Sequence, residues 1–478
     1  MIQVENLYFT HAFSDQPTLK GLNLKVEKGS VTALTGESGC GKTTLMMALL
    51  GLAPEFIKGK ITGEISIAGE RNPARFRRHI EPVFQNPDTQ LFSLRVIDEV
   101  VSQLEKTGMS KTAATKEAAR VLDQFGIGNL AARKTDTLSW GEKQKLALAC
   151  AVAPKPEILL LDEPLSGLDP VSREVYLGEI KRINRELGAT VVIVEHDIKM
   201  MMEFADKLYA LNDGRLEDIA EKSDESDMER IEQYLPVEAS GAVVEFKKAG
   251  HSYSKRTKAM APMDVKLRRG ERLAVLGPNG AGKSTMAKCV CALMKPSEGE
   301  VFLFEKNAKR VPRKEIARRT GYTFQNPDRQ LFSSTVRDEC LFASKNFGIY
   351  GPDAESRLSE ISEALGISRL MDRMPLTLSQ GEKKRVALAS AFAHAPEVVA
   401  LDEPVAGLDR LSARRVASFL KETCGKETAL LFITHDIGLV RALATRVVFL
   451  RSGRKVFDGD VREFFSSDWR EMYVEESC

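Results

Sequence analysis

Short apolar runs recur along the 478-residue chain, and each stops at a polar or charged residue. Val31–Thr35, the run ending at Asp162 and Val191–Val194 are matched later by Leu273–Leu276, the run ending at Asp402 and Leu430–Ile433. Runs this short and this uniformly apolar predict central strands of a parallel sheet buried on both faces. Helical patterns follow the first run of each set, over Leu45–Gly51 and Met286–Leu293. Amphipathic stretches at Val96–Leu104 and Val336–Phe342 predict two more helices, either partner-facing surfaces or packing faces of a helical subdomain. The longest apolar stretches, such as Leu146–Ala153 and Ala429–Thr434, are closed by Lys, Pro or His. None approaches the ~18 residues a membrane-spanning helix needs.

The pattern repeats because the sequence does. Gly36-Glu-Ser-Gly-Cys-Gly-Lys-Thr-Thr44 returns as Gly277-Pro-Asn-Gly-Ala-Gly-Lys-Ser-Thr285. Gln85-Asn-Pro-Asp-Thr-Gln-Leu-Phe-Ser93 returns from Gln325, and Leu138-Ser-Trp-Gly-Glu-Lys143 from Leu378. Leu161-Asp-Glu-Pro164 returns from Leu401, and Glu195-His-Asp197 as Thr434-His-Asp436. Five motifs in one order, 239 to 241 residues apart, make the chain two copies of one domain. The expected division is 1–216, an acidic linker over 217–240, and 241–478. Between 217 and 232 stand eight acids against Lys222 and Arg230, a solvated linker or in part a charged surface helix.

Composition narrows the class. Sixty-nine Lys and Arg against 67 Asp and Glu leave a charge of +2, without the basic stripe of a nucleic-acid groove. Seven scattered cysteines show no framework spacing, so a reducing compartment is expected. The opening Met1-Ile-Gln-Val-Glu-Asn6 resembles no export signal. Any membrane role is then expected to come through partners.

The chemistry lies where strands end. In each half a strand leads into G-x-x-x-x-G-K-[ST] and a helix, the context of a phosphate-binding P-loop. Candidate nucleotide-binding residues are Gly36, Glu37, Ser38, Gly39, Cys40, Gly41, Lys42, Thr43 and Thr44. Their counterparts are Gly277, Pro278, Asn279, Gly280, Ala281, Gly282, Lys283, Ser284 and Thr285. Lys42 and Lys283 would reach the β- and γ-phosphates, and Thr43 and Ser284 would ligate Mg²⁺. Asp162 and Asp402 fit a Mg²⁺-organising role, and Glu163 and Glu403 that of a general base. His196 and His435 follow apolar runs and are read as γ-phosphate contacts. His79, His251 and His394 lack such support and are read as ordinary. Cys40 could be oxidised or alkylated when nucleotide is absent, or be a passive small residue. Cys289 and Cys291 are read as helix packing.

This set resembles the ATP-binding-cassette (ABC) ATPases over essentially the whole chain, twice. The discriminating element is Leu-Ser-x-Gly-Glu before a Lys-rich helix, similar to the family signature. The resemblance implies an α/β fold of tandem P-loop domains, each with a RecA-like parallel-sheet core, an antiparallel β subdomain and a helical subdomain. It implies ATP and Mg²⁺ as ligands and head-to-tail pairing of the two cassettes within the chain. ATP would lie between the P-loop of one and the signature of the other, adding Ser139, Gly141, Glu142, Ser379, Gly381 and Glu382. Gln85 and Gln325 match the glutamine that touches Mg²⁺ or water. Ser166–Asp169 and Ala406–Asp409 match the D-loops. Tyr253 fits the adenine-stacking aromatic, with His11 as first-half candidate and Tyr8 and Phe9 beside it. The signature departs from Ser-Gly-Gly-Gln by Glu at its end and by Trp140 and Gln380 inside.

Gln-Asn-Pro-Asp-x-Gln-Leu-Phe is similar to the segment found in energy-coupling-factor (ECF) and cobalt/nickel importers. That resemblance implies a motor that drives an integral membrane scaffold protein and a small substrate-capture membrane protein for a vitamin or metal ion. It would work at the cytoplasmic face of a prokaryotic cell membrane, without nucleic acid. The other readings are a translation-associated twin-cassette factor and the motor of a sugar importer or exporter.

Overall fold

The computed structural model describes residues 1–12, 14, 16–37, 39–219, 240–254, 257–424 and 427–473. The chain divides into two compact units, Met1–Glu225 and Ser226–Cys478.

The first unit runs β1 (Ile2–His11), β2 (Leu19–Val26), β3 (Val31–Thr35), α1 (Lys42–Leu49), β4 (Gly59–Ile67), α2 (Pro73–Phe76) and β5 (Ile80–Val83). It continues through α3 (Val96–Lys106), α4 (Lys111–Gln124), α5 (Trp140–Val152), β6 (Ile158–Asp162) and α6 (Pro170–Leu187). It closes with β7 (Thr190–Val194), α7 (Ile198–Phe204), β8 (Lys207–Asn212) and β9 (Arg215–Asp218). One sheet has the order β5-β6-β7-β3-β8-β9, parallel except for β9. The other is antiparallel, β2-β1-β4.

Every residue of β3, β6 and β7 is buried. Alternation explains why: Leu34, Ile158, Leu160, Val192 and Val194 face one core, with α1 and the antiparallel sheet. Ala33, Leu159, Leu161, Val191 and Ile193 face the other, with helices α3 to α6. A strand between two cores is apolar nearly throughout, and its few polar residues, such as Thr32 and Asp162, are buried with the rest.

The second unit repeats the plan. Its elements are β10 (Ser240–Ser254), β11 (Thr257–Arg269), β12 (Arg272–Leu276), α8 (Lys283–Val290), β13 (Glu298–Leu303), β14 (Lys306–Asn307) and α9 (Arg313–Arg319). Next come β15 (Thr320–Thr323), α10 (Val336–Phe347), α11 (Pro352–Ala364), α12 (Gln380–Phe392), β16 (Val398–Asp402) and α13 (Arg410–Thr423). The last are β17 (Ala429–Ile433), α14 (Ile437–Leu443), β18 (Arg446–Arg451), β19 (Arg454–Asp460) and α15 (Val461–Ser466). The sheets are β15-β16-β17-β12-β18-β19 and β11-β10-β13-β14.

Glu217 and Asp218, expected at the head of the linker, are the last residues of β9, and Ser240 already begins β10. The rest of the acidic run lies outside the described residues. Val96–Leu104 and Val336–Phe342 are helical, and Val96, Val100, Val101, Leu104, Val336, Cys340 and Leu341 are buried. These buried residues are packing faces, while Phe342 stays 47% exposed with its ring edge-on to that of Phe332. Among the described residues no helix is long and apolar enough to cross a membrane.

Candidate nucleotide and hydrolysis site

Each Gly-rich loop joins a buried strand to a helix whose N-cap glycine is left-handed, Gly41 at φ 110° and Gly282 at φ 96°. A side chain at Gly36 would collide with the Leu211 carbonyl oxygen, and one at Gly277 with that of Leu450. Glycine is therefore required for the loop to lie against β8 or β18 and leave its N–H groups for an anion. Both lysines are buried and turn back on their own loops. Lys42 Nζ donates to the carbonyls of Gly36 and Glu37 at 2.8 Å, and Lys283 Nζ to those of Gly277 and Pro278 at 2.7 and 2.8 Å. A buried ammonium turned onto its own loop's carbonyls beside an open cradle suits an arriving phosphate. Glu37, Gly39 and Gly280 are exposed, Pro278 and Asn279 half-buried, and Ala281 buried; Ser38 lies outside the described residues.

Beside each helix start sits a ring. His11 Nε2 lies 3.4 Å from Thr44 Oγ1, and the Tyr253 hydroxyl 3.2 Å from Thr285 Oγ1. Phe9, itself in the core, packs edge-on against His11, and His251 packs edge-on against the exposed Tyr253. Thr43 is exposed on the helix start. Cys40 has its thiol pushed up by burial, an environment that suppresses the reactive thiolate.

The strand-end acids complete the cluster. Asp162 and Asp402 are buried, and burial, followed by the neighbouring Glu163 charge, raises Asp162 to about 6. Burial also raises Asp402, against a hydrogen bond from Ser284. A cation in front of these carboxylates would relieve that cost, so the donor set fits Mg²⁺. Glu163 Oε2 accepts from Gln85 Nε2 at 2.5 Å, and its Oε1 lies 2.8 Å from His196 Nε2. Burial works against the charged form of His196, but the Glu163 bond and charge outweigh it and hold its pKa above the ordinary value. In the second unit His435 Nε2 lies 3.4 Å from Glu403 Oε1 and 3.2 Å from Asn279 Oδ1. Burial and the charge of Asp402 push Glu403 up, while Lys283 and Lys384 draw it back. Gln325 lies exposed two residues past its strand, so among the described residues only the first unit brings glutamine, acid and histidine into hydrogen-bond contact. Both acids have left-handed backbone, Glu163 at φ 45° and Glu403 at φ 53°.

The signature segments open α5 and α12, and the terminal acid has a local role. Ser139 and Ser379 are N-caps, with Glu142 and Glu382 closing reciprocal capping boxes. Glu reaches back to the cap N–H as Gln would, so the departure from the usual motif preserves the helix start. Gly141 and Gly381 lie in the first turns.

The Gln-Asn-Pro-Asp segments also acquire a physical reading. Asn86 and Asn326 cap the short turn after them, accepting from the N–H of Asp88 and Asp328. Those aspartates pair with the signature helix, Asp88 with Lys143 at 2.5 Å and Asp328 with Lys383 at 2.7 Å. Buried Glu99 and Glu339 then accept from the N–H groups of Ser93, and of Phe332 and Ser333. That leaves Phe92 84% and Phe332 62% exposed. Sequence reasoning missed these ion pairs and buried acids; their recurrence at one register was the available signal. His79 pairs with Glu157, His251 binds the Lys295 carbonyl, and His394 is buried on the Thr320 carbonyl, as ordinary histidines do. Cys289 and Cys291 are buried and free.

Two P-loop domains of this topology, each with its capped signature helix, define a class of phosphate-handling motor. The family model described as "ABC transporter" matches residues 19–166 and 260–406, and the chain belongs to that family. It is an ATP-binding subunit and an ATPase. It is 33% identical over 494 residues to a Methanosarcina mazei protein provisionally named an ABC transporter ATP-binding protein, covering 100% of this chain and 99% of that one. It is 30% identical to a Bacillus subtilis protein provisionally named the HMP/thiamine import ATP-binding protein YkoD, covering 98% and 93%. A solved structure of cbiO1 from Clostridium perfringens, part of the ABC transporter complex cbiONQ, is 31% identical. It covers 48% of this chain and 92% of that one, with a TM-score of 0.43.

Proposed function

We propose that the chain is the hydrolytic motor of an ECF-type importer for a vitamin or metal ion. It acts through an integral membrane scaffold and a small substrate-capture protein, at the cytoplasmic face of a prokaryotic membrane. The observation that carries the hydrolytic part is the convergence of Gln85 and His196 on Glu163, at the strand end next to the P-loop. Import draws support from the thiamine-import name of a relative that matches almost end to end. The repeated Gln-Asn-Pro-Asp-x-Gln-Leu-Phe segment, which holds an aromatic ring out in each unit, supports a membrane partner.

Lys42 and Lys283, with the loop N–H groups, bind the phosphates; the ammonium groups exchange their carbonyl partners for phosphate oxygens. Thr43, Ser284, Asp162, Asp402, Gln85 and Gln325 would hold Mg²⁺, which neutralises charge on the phosphates when bound. Glu163 and Glu403 orient the attacking water and take its proton, His196 and His435 contact the γ-phosphate, and His11 and Tyr253 lie where an adenine could stack. The signature residues complete the nucleotide contacts in the pairing of cassettes that the resemblance implies. Glu163→Gln with Glu403→Gln should retain ATP, measured on filters, and lose steady-state hydrolysis by roughly 100-fold or more. Sustained hydrolysis in that double variant would remove the base assignment.

A further inference from the structure

The first two turns of the signature helix do two jobs in each unit and divide them differently. In the first unit Trp140 Nε1 donates to the Ser166 carbonyl at 2.8 Å, and Gln144 Nε2 to the Gln85 carbonyl at 3.2 Å. In the second, Lys384 Nζ donates to the carbonyls of Ala406 and, at 3.1 Å, Glu403. Gln380 Nε2 there donates to Asp328 Oδ2 at 3.0 Å. Trp140 and Gln380 share a register position, and Gln144 and Lys384 share the one four residues on, one helical turn away. Ser166 and Ala406 also correspond. The donor to the loop after the acid has therefore moved by one turn between the units. Besides the shared lysine–aspartate pair, the amide donor to the Gln-Asn-Pro-Asp segment also differs, reaching the Gln85 carbonyl in the first unit and the Asp328 carboxylate in the second.

The shared carbonyl belongs to the turn that carries the acid. The Ser166 N–H donates to the Glu163 carbonyl at 3.1 Å, and that of Ala406 to the Glu403 carbonyl at 3.4 Å. Gly167 lies against the indole, where a Cβ would stand 2.9 Å from Trp140 Nε1. An indole and an ammonium have no shape in common, so packing alone does not select both. What the two share is a donor to that carbonyl.

We propose that Trp140 and Lys384 are positioning residues, each latching the turn that carries Glu163 or Glu403 to the signature helix of its own unit. The inference rests on the base role proposed for those acids. Neither residue needs to touch nucleotide, so losing the donor should misplace the acid and lower kcat without weakening ATP binding.

The test is steady-state Mg-ATP hydrolysis by the full chain, with melting temperatures in parallel. Trp140→Phe keeps the ring and loses the N–H; Lys384→Met keeps the length and loses the donor. Because the other unit's acid is untouched, each single variant should lower kcat by up to about half and the two together by roughly tenfold, with KM for ATP within about twofold. Trp140→Gln with Gln144→Lys rebuilds the second unit's arrangement in the first, and should regain most of the kcat that Trp140→Gln alone loses. Unchanged kcat in both single variants, a matching rise in KM, or a swap no better than Trp140→Gln would overturn the latch. Should Trp140→Phe not fold, the swap against Trp140→Gln decides, because Lys384→Met also removes a charge that acts on Glu403. Glu163→Gln with Glu403→Gln, assayed alongside, separates the two ideas. Turnover surviving there removes the base role, whereas turnover lost there with unaffected latch variants removes only the latch.

Discussion

Glu195 follows β7 directly with its carboxyl buried, where Oε1 accepts the Leu165 N–H at 2.9 Å. Burial, and then the charge of Glu163, raises its pKa from 4.5 to about 7. A raised pKa means the fold favours the protonated form. The stabilisation is complete below about 4.5, fades as pH rises, and above about 7 the buried carboxylate is a net cost. The second unit has Thr434 at this register and needs no charge there. Glu195→Gln keeps an acceptor for Leu165 and should stabilise the nucleotide-free chain at pH 8 by on the order of 2–3 kcal/mol, with no gain at pH 4.5. Melting curves at the two pH values check this; an equal effect at both would exclude a titrating Glu195. At this scale the sequence was readable where a motif names its residues. Glu195 was visible only as the neighbour of His196, because burial of one acid leaves no pattern in a single chain.

Helices α3 and α10 show how elements divide labour. Their buried stripes are spent on packing, while exposed Phe92 and Phe332 stand in the loop before them, held by Glu99 and Glu339. Leu104→Ala, at 2% exposure, should cost roughly 2–4 kcal/mol, whereas Phe92→Ala should leave the melting temperature nearly unchanged. Urea unfolding of the two variants decides it; equal losses would place Phe92 in the core. The buried strands were legible because a strand between two cores is apolar along most of its length. The antiparallel sheet was not. Register shifts between Val4 and Leu7, and between Leu7 and Phe9, break the two-residue alternation that would have announced β1. The linker boundary slipped for a related reason: Glu217 and Asp218 sit on β9, an edge strand whose exposed positions accept charge.

Across the whole molecule, the repeat made the architecture legible, since five motifs at one offset leave a single domain plan used twice. What it concealed is divergence between the copies. Reading Trp140 or Lys384 alone gives no hint of which carbonyl each reaches, because exchange along one helix face changes residue types while preserving the contact. The left-handed acids carry a further consequence. Glu403 combines φ 53° with a buried carboxyl whose ionised form the fold disfavours, two departures from what a stable chain prefers. Asparagine tolerates that backbone and carries no charge, so Glu403→Asn should raise the melting temperature by the equivalent of about 1–2 kcal/mol while turnover falls. A lower melting temperature would show that the acid stabilises its turn. Directed evolution for heat resistance alone would then discard this residue early, and a thermostabilised motor would have to be screened for hydrolysis at every round.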